Sequence, residues 1–362
     1  MALNRVDVVF SGGGTGGHVY PALAIAEILR IRGISCAYIG TPNGIEASLV
    51  ARTQIPYFGI DAAPVKGRNA GKAVLAMGTA ARATAEARSL IKSLRARMVI
   101  CTGGYVAGPV GLAASTLGLK MLLVEPNAVM GLTNKLLTRL CDGVVTAFED
   151  APEGIPKKKR LYMGVPIRPG FVSSVPEPFT ETPRLLVLGG SQGAHFLNEV
   201  VPEALGHLLT EGVHVSVLHQ TGTHDVELVT EAYQRAGVTA RVESYLEAVP
   251  AALKEAHLVI ARSGAGTVAE VCAVGRPAVF VPLPSAADDH QTANAERVVR
   301  AGAALLAPQG ATSPVYLSSL LSGLLASPER LEKMAEASRH LGNGDAARHV
   351  ADHVETSLYA QR

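Results

Sequence analysis

A glycine-rich loop near the start of the chain carries the first residues that could do chemistry. It reads SGGGTGGH over residues 11–18, follows a short apolar run and precedes a helical pattern. Glycines let the backbone turn sharply and approach a ligand without a Cβ clash. The helix that follows presents free N–H groups and partial positive charge, so the loop predicts an anion-binding site. His18, at the end of the loop, is either a hydrogen-bonded polar residue or a catalytic base.

The same loop also matches the dinucleotide-binding pattern G-x-G-x-x-G, through Gly12, Gly14 and Gly17. That pattern expects an acidic residue about 20 residues later, at the end of the next strand, to bind a ribose. Here the next strand is predicted to end at Gly40, and the first acid after it is Glu46. The missing ribose ligand argues against a nicotinamide or flavin, and we expect no cofactor.

Three further glycine loops follow apolar runs and precede helical ones: GGYVAGP at 103–109, GGSQGA at 189–194 and RSGAGTVAE at 262–270. A single loop of this kind often serves only to pack a strand against a helix. Four of them indicate ligand binding, because ligands of open α/β sheets bind at the carboxyl ends of the strands. Two such domains facing one another predict a binding cleft between them.

Several polar residues near the last loop have two interpretations. Glu270 lies about one turn into its helix, where it either complements the helix dipole or binds ribose hydroxyls. The run Asp288-Asp289-His290 is best interpreted as a solvated loop, since the chain has no D-x-D motif, and we expect no metal. Gln291 and Asn294 suit neutral hydrogen bonds better.

Apolar β-branched runs alternate with helical runs on both sides of a linker-like stretch at residues 150–184. Strands separated by helices of 10–15 residues indicate βαβ units and parallel sheets. Examples are a helix over Pro21–Arg30 and a strand over Val213–His219. We predict an α/β chain with two Rossmann-like, doubly wound domains, 1–164 and 165–340. Residues 341–362 are predicted to form a C-terminal helix that packs back on the N-terminal domain.

Composition bounds the class of protein. With 48% hydrophobic and 18% charged residues the chain is globular, and a net charge of +2 argues against a nucleic-acid binder. Glycines and prolines interrupt both long uncharged stretches, so neither predicts a membrane span. The cysteines form no C-x-x-C pair and are predicted to be small buried residues in a reducing compartment. They are Cys36, Cys101, Cys141 and Cys272.

Residues 66–97 are strongly basic, with Val74, Leu75 and Met77 nearby. Such a segment suits an anionic membrane surface at ~1 kcal/mol per nearby charge. A solvated helix face is the alternative. Its cations, against Glu86 alone, are Lys66, Arg68, Lys72, Arg82, Arg88, Lys92, Arg95 and Arg97.

Five motifs in order, GGGTGGH, GGYVAGP, GGSQGA, RSGAGTVAE and HQTANA, resemble the MurG family of peptidoglycan N-acetylglucosaminyltransferases. Further matches are GTPNGIEASLV, Glu125 with Asn127, and GVPIRP around Arg168, so the resemblance covers nearly the whole chain. It implies a GT-B fold. It also implies transfer, with inversion, of N-acetylglucosamine from UDP-N-acetylglucosamine to lipid I, forming lipid II for the cell wall.

The resemblance also implies site residues. It makes His18 and Glu125 the catalytic candidates, and Glu270 the ligand of the ribose hydroxyls. Acceptor binding is implied for Gly14, Gly103, Gly104 and Tyr105. Donor binding is implied for Thr15, Gly16, Gly17, Asn127, Arg168, Ser191, Leu246, Arg262, Ser263, Gly264, Ala265, Gly266, Thr267, Val268, Ala269, Glu270, Gln291 and Asn294.

The chain departs from the family in places: Val124 and Pro126 stand where the family often has His and Gln, and Ala107 and Gly266 replace other residues. The partners implied are UDP-N-acetylglucosamine, lipid I, the anionic inner leaflet of the cytoplasmic membrane and other cell-wall synthesis proteins, with no nucleic acid. The implied location is peripheral, at the cytoplasmic face. Two alternatives remain: another GT-B transferase with a glycolipid or small-molecule acceptor, and a non-catalytic nucleotide-sugar binding subunit.

Overall fold

Two units, each with its own parallel sheet, make up the chain in a computed structural model. The structure describes residues 5–63, 70–150, 152–171, 173–175, 182–190 and 193–360, with only the backbone described at 70–77. The first unit comprises Met1–Pro169 together with Asp345–Arg362, and the second comprises Gly170–Gly344. The chain therefore leaves the first unit after residue 169 and returns to it at 345, where the sequence predicted 164 and 341.

The first unit contains a sheet of seven parallel strands. In chain order these are β1 (Val8–Gly12), β2 (Cys36–Gly40), β3 (Tyr57–Gly59), β4 (Met98–Gly103), β5 (Lys120–Glu125), β6 (Gly143–Thr146) and β7 (Arg160–Tyr162). They lie side by side in the order β3-β2-β1-β4-β5-β6-β7. The central strands are buried along their length because helices cover both faces, which explains their continuous apolar sequence.

Two layers of helices cover this sheet. The helices are α1 (Gly16–Ile31), α2 (Ile45–Val50), α3 (Ala70–Ser93), α4 (Ala107–Thr116), α5 (Leu132–Leu137) and, from the chain end, α13 (Ala346–Tyr359). On one face α1 and α13 share an apolar core with the strands. On the other face α3, α4 and α5 share a second core. Arg32 of α1 pairs with Asp352 and Glu355 of α13, at 2.7 and 2.9 Å, which fixes the returning helix.

The second unit repeats this architecture with six parallel strands in the order β10-β9-β8-β11-β12-β13. The strands are β8 (Arg184–Leu188), β9 (Ser216–Gln220), β10 (Thr239–Glu243), β11 (Leu258–Ala261), β12 (Ala278–Phe280) and β13 (Ala304–Leu306). The helices are α6 (His195–Thr210), α7 (Val226–Ala236), α8 (Val249–Glu255), α9 (Ala265–Val274), α10 (His290–Arg300), α11 (Pro314–Leu325) and α12 (Pro328–Leu341).

Strand order changes direction between β1 and β4 in the first sheet, and between β8 and β11 in the second. These are the topological switch points at which open α/β sheets bind ligands. The four predicted glycine loops follow these four strands. The predicted fold class, two doubly wound parallel-sheet domains, is therefore confirmed, and the sheets bring the loops together in pairs.

Two predicted element bounds were wrong. Helix α1 begins at Gly16 rather than at Pro21, so that Pro21 lies inside the helix and the glycines form its first turn. Strand β9 covers Ser216–Gln220 instead of Val213–His219, because the chain first has to leave α6 through Gly212, at a φ of +82°.

The four cysteines are buried free thiols, as predicted. Burial raises the pKa of Cys36 and Cys101 to about 12, so these thiols are poor nucleophiles. Among the described residues no helix is long and apolar enough to cross a membrane. The same residues contain no group of three His, Cys, Asp or Glu side chains placed to hold a metal ion.

Candidate functional site

The loop between β1 and α1 places His18 in the first helical turn. Gly14 adopts a φ of +83°, which an L side chain rarely adopts, and Thr15 is extended at the N-cap of α1. The N–H groups of the following residues, Gly16 and Gly17, begin the helix and point out of its N-terminus. This loop geometry supports an anion site beside the imidazole.

Backbone contacts define the orientation of the His18 ring. Its Nδ1 lies 3.0 Å from the Gly13 carbonyl oxygen and 3.3 Å from Thr15 Oγ1. Since a carbonyl oxygen can only accept, the Gly13 contact requires a proton on Nδ1, which leaves the lone pair on Nε2. Thr102 Oγ1, from β4, donates to the His18 carbonyl at 2.6 Å and so holds the His18 backbone against the end of that strand.

The loop after β4 lies directly against the His18 loop. A Cβ on Gly103 would lie 2.8 Å from His18 Cδ2 and 3.0 Å from its Nε2. A Cβ on Gly104 would overlap the Gly13 carbonyl, and the Tyr105 ring lies 3.4 Å from a Cβ placed on Gly14. The structure thus brings together five of the residues predicted in these two loops: Gly14, His18, Gly103, Gly104 and Tyr105.

Glu125, at the end of β5, is buried and surrounded by hydrogen-bond donors. It accepts from the backbone N–H and side-chain amide of Asn127, both at 3.1 Å, from Gly131 N–H at 2.9 Å and from Asn134 Nδ2 at 3.0 Å. Both carboxylate oxygens are therefore engaged in shaping the loop that carries Asn127. This arrangement favours a structural role for Glu125 over that of a mobile base. The sequence analysis did not identify Asn134.

Arg168 lies over an aromatic ring of the first helix. Its guanidinium carbon is 4.9 Å from the centroid of Tyr20, within the range of a cation–π contact. The same ring would contact a Cβ on Gly16 at 3.1 Å. Arg168, 150 residues further along the chain, is therefore beside the first turn of α1. Tyr20 was missed because one aromatic residue inside a helical pattern carries no signal of function.

In the second unit, the loop after β11 opens onto the N-terminus of α9. Gly264 is the extended N-cap, and Ala265 to Ala269 with Glu270 form the first turns of the helix. A Cβ at Gly264 or Gly266 would have no atom within 4 Å, so the space beside these glycines is open. The first N–H groups of α9 face that space, as an anion-binding helix terminus requires. Thr267 and Glu270 are half-buried, and Val268 is buried.

The polar side chains behind this terminus form an internal network. Ser263 Oγ donates to the Gln291 carbonyl at 2.8 Å, and Asn294 Nδ2 donates to the Ser263 carbonyl at 3.2 Å. Gln291 Oε1 accepts from Leu283 N–H at 3.0 Å. These contacts fix the loop before α9 to helix α10. Asp288 and Asp289, just before α10, are exposed, as predicted.

Arg262 points into the protein. Its guanidinium donates to the carbonyls of Val281 and Pro282, both at 3.0 Å, and to Gln309 Oε1 at 2.8 Å. Burial lowers the pKa of Arg262. The described contacts of this side chain hold the loop after β11 to the loops after β12 and β13, and any contact of Arg262 with a donor stays a prediction.

The loop after β8 is fixed by a buried network that the sequence analysis did not identify. A Cβ on Gly193 would overlap the Thr221 carbonyl, which also accepts from Asn198 Nδ2 at 2.9 Å. Asn198 Oδ1 in turn lies 3.1 Å from His219 Nε2, and burial lowers the pKa of His219 to about 3, so this histidine is neutral. Predicted donor residue Ser191 lies outside the described residues. Leu246, after β10, is buried.

Two models of one protein family match this chain, one in the first unit and one mainly in the second. Residues 8–146 match the glycosyltransferase family 28 N-terminal domain, and residues 184–354 match the C-terminal domain of that family. A UDP-N-acetylglucosamine--N-acetylmuramyl-(pentapeptide) pyrophosphoryl-undecaprenol N-acetylglucosamine transferase from Alkalilimnicola ehrlichii is 42% identical, over 96% of this chain and 97% of the relative. The protein of the same name from Pseudomonas putida is 40% identical, over 97% of this chain and 98% of the relative.

Solved structures show the same fold. The crystal structure of MurG from Acinetobacter baumannii superimposes with a TM-score of 0.84 at 36% identity, covering 97% of this chain and all of that one. The glycosyltransferase of kitacinnamycin reaches a TM-score of 0.70 at 18% identity, covering 98% of this chain and 99% of that one. The second comparison supports the two-sheet architecture alone.

Gly104→Ala should unfold at a clearly lower denaturant concentration than the wild-type protein. A Cβ there adds an overlap with the Gly13 carbonyl to the strain of a φ of +82°. Gly118→Ala is the matched control, since Gly118 has a φ of +66° but no atom within 4 Å of its Cβ position. We expect Gly118→Ala to cost about 1 kcal/mol and Gly104→Ala at least twice as much. Equal losses of unfolding free energy for the two variants, measured by urea unfolding, would contradict the close contact between the loops after β1 and β4.

Proposed function

Because the chain belongs to glycosyltransferase family 28, we propose that it carries out the reaction for which its relatives are named. It transfers N-acetylglucosamine from UDP-N-acetylglucosamine to undecaprenyl-pyrophosphoryl-N-acetylmuramoyl-pentapeptide, lipid I, and so forms lipid II. The observation that carries this proposal is 42% identity along 96% of the chain. All four glycine loops lie within the two family matches, at residues 8–146 and 184–354. We propose inversion at the transferred carbon, which a single displacement produces.

We propose that the second unit binds the donor. The open N-terminus of α9 offers N–H groups to a phosphate, and Glu270, one turn further on, offers a carboxylate to the ribose hydroxyls. Gln291 Oε1 already accepts from Leu283 N–H, so the amide NH₂ of Gln291 is the group that would meet a sugar hydroxyl. Asn294 is fully buried and donates to Ser263, and we assign it to positioning that loop.

We propose that His18 is the general base. In the Nδ1–H tautomer that the Gly13 carbonyl selects, Nε2 can take the proton of the acceptor hydroxyl as its oxygen attacks the sugar. The carbon–oxygen bond to the diphosphate breaks as the new glycosidic bond forms, and UDP leaves with the electron pair. A positioned base contributes roughly 10²–10⁴-fold to such a step.

Negative charge grows on the leaving diphosphate and has to be stabilised. The chain has no D-x-D motif, and we propose that helix N-termini and Arg168 supply the stabilisation. The Tyr20 ring holds the Arg168 guanidinium at 4.9 Å from its centroid, next to the first turn of α1. An arginine held in this way loses less side-chain entropy when it binds a phosphate.

The lipid acceptor requires a membrane surface, and we propose that the face formed by α3, α4 and α5 provides it. Helix α5 and its C-terminal extension expose Leu132, Leu136 and Leu140, at 67%, 68% and 44% of their surface. The four-residue spacing puts Leu132 and Leu136 on one face of α5, and Leu140 lies in the turn after the helix. Lys135 and Arg139 are exposed beside these leucines in the sequence, and the exposed Lys157 and Lys158 precede Lys159, which donates to the Arg139 carbonyl. Exposed leucines among cations suit binding to the headgroup interface of a membrane leaflet that contains anionic lipids.

The structure limits the contribution of the basic segment 66–97 to this face. Arg82 pairs with Asp61 at 2.6 Å, and Arg97 pairs with Asp7 at 3.3 Å and donates to the Leu358 carbonyl of α13. Arg97 therefore contacts α13, which packs on the α1 face of the sheet, and its place on a membrane surface stays a prediction. Lys66 and Arg68 lie outside the described residues, as does the Lys72 side chain. Peripheral attachment at the cytoplasmic face is part of the same proposal.

UDP release in the presence of a lipid I analogue tests the proposed reaction directly. We expect release to depend on both substrates and to match formation of the disaccharide product, measured by mass spectrometry. UDP released with a different acceptor only would favour another GT-B transferase. Tight UDP-N-acetylglucosamine binding without any transfer would indicate a non-catalytic subunit.

His18→Ala should lower kcat by roughly 10²–10⁴-fold, since it removes the base, while leaving the Kd of UDP-N-acetylglucosamine nearly unchanged. Turnover with a lipid acceptor and calorimetric donor binding give the two quantities. Near-normal turnover would exclude His18 as the base. Glu125, the next candidate from the sequence, would then need testing by Glu125→Gln.

Leu132→Ser combined with Leu136→Ser should weaken binding to vesicles at least roughly tenfold, because two leucine side chains are no longer transferred from water into the membrane. Lys157→Gln combined with Lys158→Gln should weaken binding to anionic vesicles only, since ~1 kcal/mol per charge is lost. Ile31→Ser is the control, at a 73% exposed apolar position on α1, which packs on the other face of the sheet. If Ile31→Ser reduced co-sedimentation with vesicles as much as the paired leucine substitutions do, the face formed by α3, α4 and α5 would be excluded as the membrane-binding surface.

A further inference from the structure

A fully buried carboxylate, Glu46 on α2, lies beneath the His18 loop and has no part in the function proposed above. Its exposure is 0%. One oxygen accepts from Thr41 N–H at 3.0 Å and from Thr41 Oγ1 at 2.6 Å. The other accepts from Gly14 N–H at 3.2 Å. Burying a carboxylate is unfavourable unless hydrogen-bond donors replace the water that it loses. Three donors do this for the Glu46 side chain.

Three glycines make the room that Glu46 occupies. A Cβ on Gly13 would lie 2.7 Å from the carboxylate, and a Cβ on Gly40 would lie 2.7 Å from the Cγ of the same side chain. A Cβ on Gly44 would overlap the Glu46 carboxyl group as well. These glycines come from three separate places in the first 44 residues. The absence of a side chain at these three positions therefore leaves the space that the Glu46 side chain fills.

One peptide group connects Glu46 to His18. The N–H of Gly14 donates to Glu46, and the carbonyl of Gly13, in the same peptide unit, accepts from His18 Nδ1 at 3.0 Å. Hydrogen bonds in such a chain polarise one another. A negative carboxylate on the N–H side increases the negative charge of the carbonyl oxygen and strengthens its hold on the Nδ1 proton.

We propose that Glu46 is a positioning residue for His18: through the Gly13–Gly14 peptide it fixes the Nδ1–H tautomer and makes Nε2 a stronger base. The proposal rests on the assignment of His18 as the base. It adds a carboxylate–peptide–imidazole relay, in which Glu46 touches neither substrate nor the reacting atoms.

The groups around the relay are compatible with this role. The titratable side chains described next to Glu46 are three phenols: Tyr38 from β2, Tyr57 from β3 and Tyr105 after β4. The Arg168 guanidinium faces the α1 end of the loop, over the Tyr20 ring. Burial, followed by the negative charge of Glu46, raises the pKa of Tyr38 and of Tyr57. Tyr105 Oη lies 3.4 Å from Thr41 Oγ1. Neutral phenols leave Glu46 as the charge that the relay transmits.

Glu46→Gln tests the proposal because it is isosteric but breaks one link. The glutamine oxygen satisfies both Thr41 donors, which turns the NH₂ group towards Gly14 N–H, donor against donor. A carboxylate stabilises the imidazolium ion, so its loss lowers the pKa of His18. We expect the acidic limb of the kcat–pH profile to move to lower pH, and kcat to fall about tenfold with substrate KM values nearly unchanged.

NMR of nitrogen-labelled histidine follows the His18 ring without any turnover, with signals assigned by their loss in His18→Gln. In Glu46→Gln we expect a lower His18 pKa and a smaller Nδ1–H fraction. Asp7→Asn is the control, because it removes a part-buried carboxylate at the other end of β1 and should leave the His18 signals unchanged. Should Glu46→Gln fail to fold, Thr41→Val keeps the charge and removes a competing donor, so the relay predicts an equal or higher His18 pKa, and a lower value would contradict it.

An unchanged His18 titration in a folded Glu46→Gln protein would overturn the proposal, whatever the rate. A changed titration with unchanged kcat would overturn the positioning role in catalysis. The base assignment fails separately, if His18→Ala turns over normally, and the NMR result then still decides whether Glu46 and His18 are coupled.

Discussion

The first unit depends on how closely two stretches of backbone can approach each other. The loop after β4 lies against the loop after β1 at a distance that leaves no room for a Cβ on Gly104, and Gly103 makes room for the His18 ring. The imidazole is oriented by main-chain atoms, whose positions follow from the sheet. The base that we propose, held in this way, would need little reorganisation during the reaction. The glycines are needed here because they have no side chain, which leaves room for the neighbouring backbone and for the imidazole ring.

The second unit has the same topology but uses its glycines differently. Gly264 and Gly266 border open space at the start of α9, where a ligand can come close to the helix terminus. The side chains behind them, including Arg262 and Asn294, are engaged in holding neighbouring loops. Arg262, a charged residue in a conspicuous motif, therefore supports the scaffold, and we propose that backbone N–H groups of α9 bind the ligand.

Sequence patterns were sufficient for the fold class and for the four loops, because strand periodicity and strand–helix glycine turns are local signals. The sequence showed Glu46 only as an acid in the wrong place for a ribose ligand, and it gave no signal for Tyr20 or Asn134. The contacts of these three residues involve partners in other strands and loops. The start of α1 was misplaced for a similar reason, since glycines in a loop pattern and a proline at a helix start are ordinary boundary signals. The pairing of Arg97 with Asp7 joins residues 90 positions apart, which no local charge pattern reveals.

The return of the chain to the first unit has a consequence for biosynthesis. Val350, Val354 and Leu358 of α13 complete the apolar core on the α1 face of the first sheet. During translation that face remains uncovered until residues 346–359 have been made, while the second unit, whose residues are contiguous, can close earlier. The first unit therefore finishes folding after the second unit has been synthesised, and its apolar surface needs protection from aggregation in the interval.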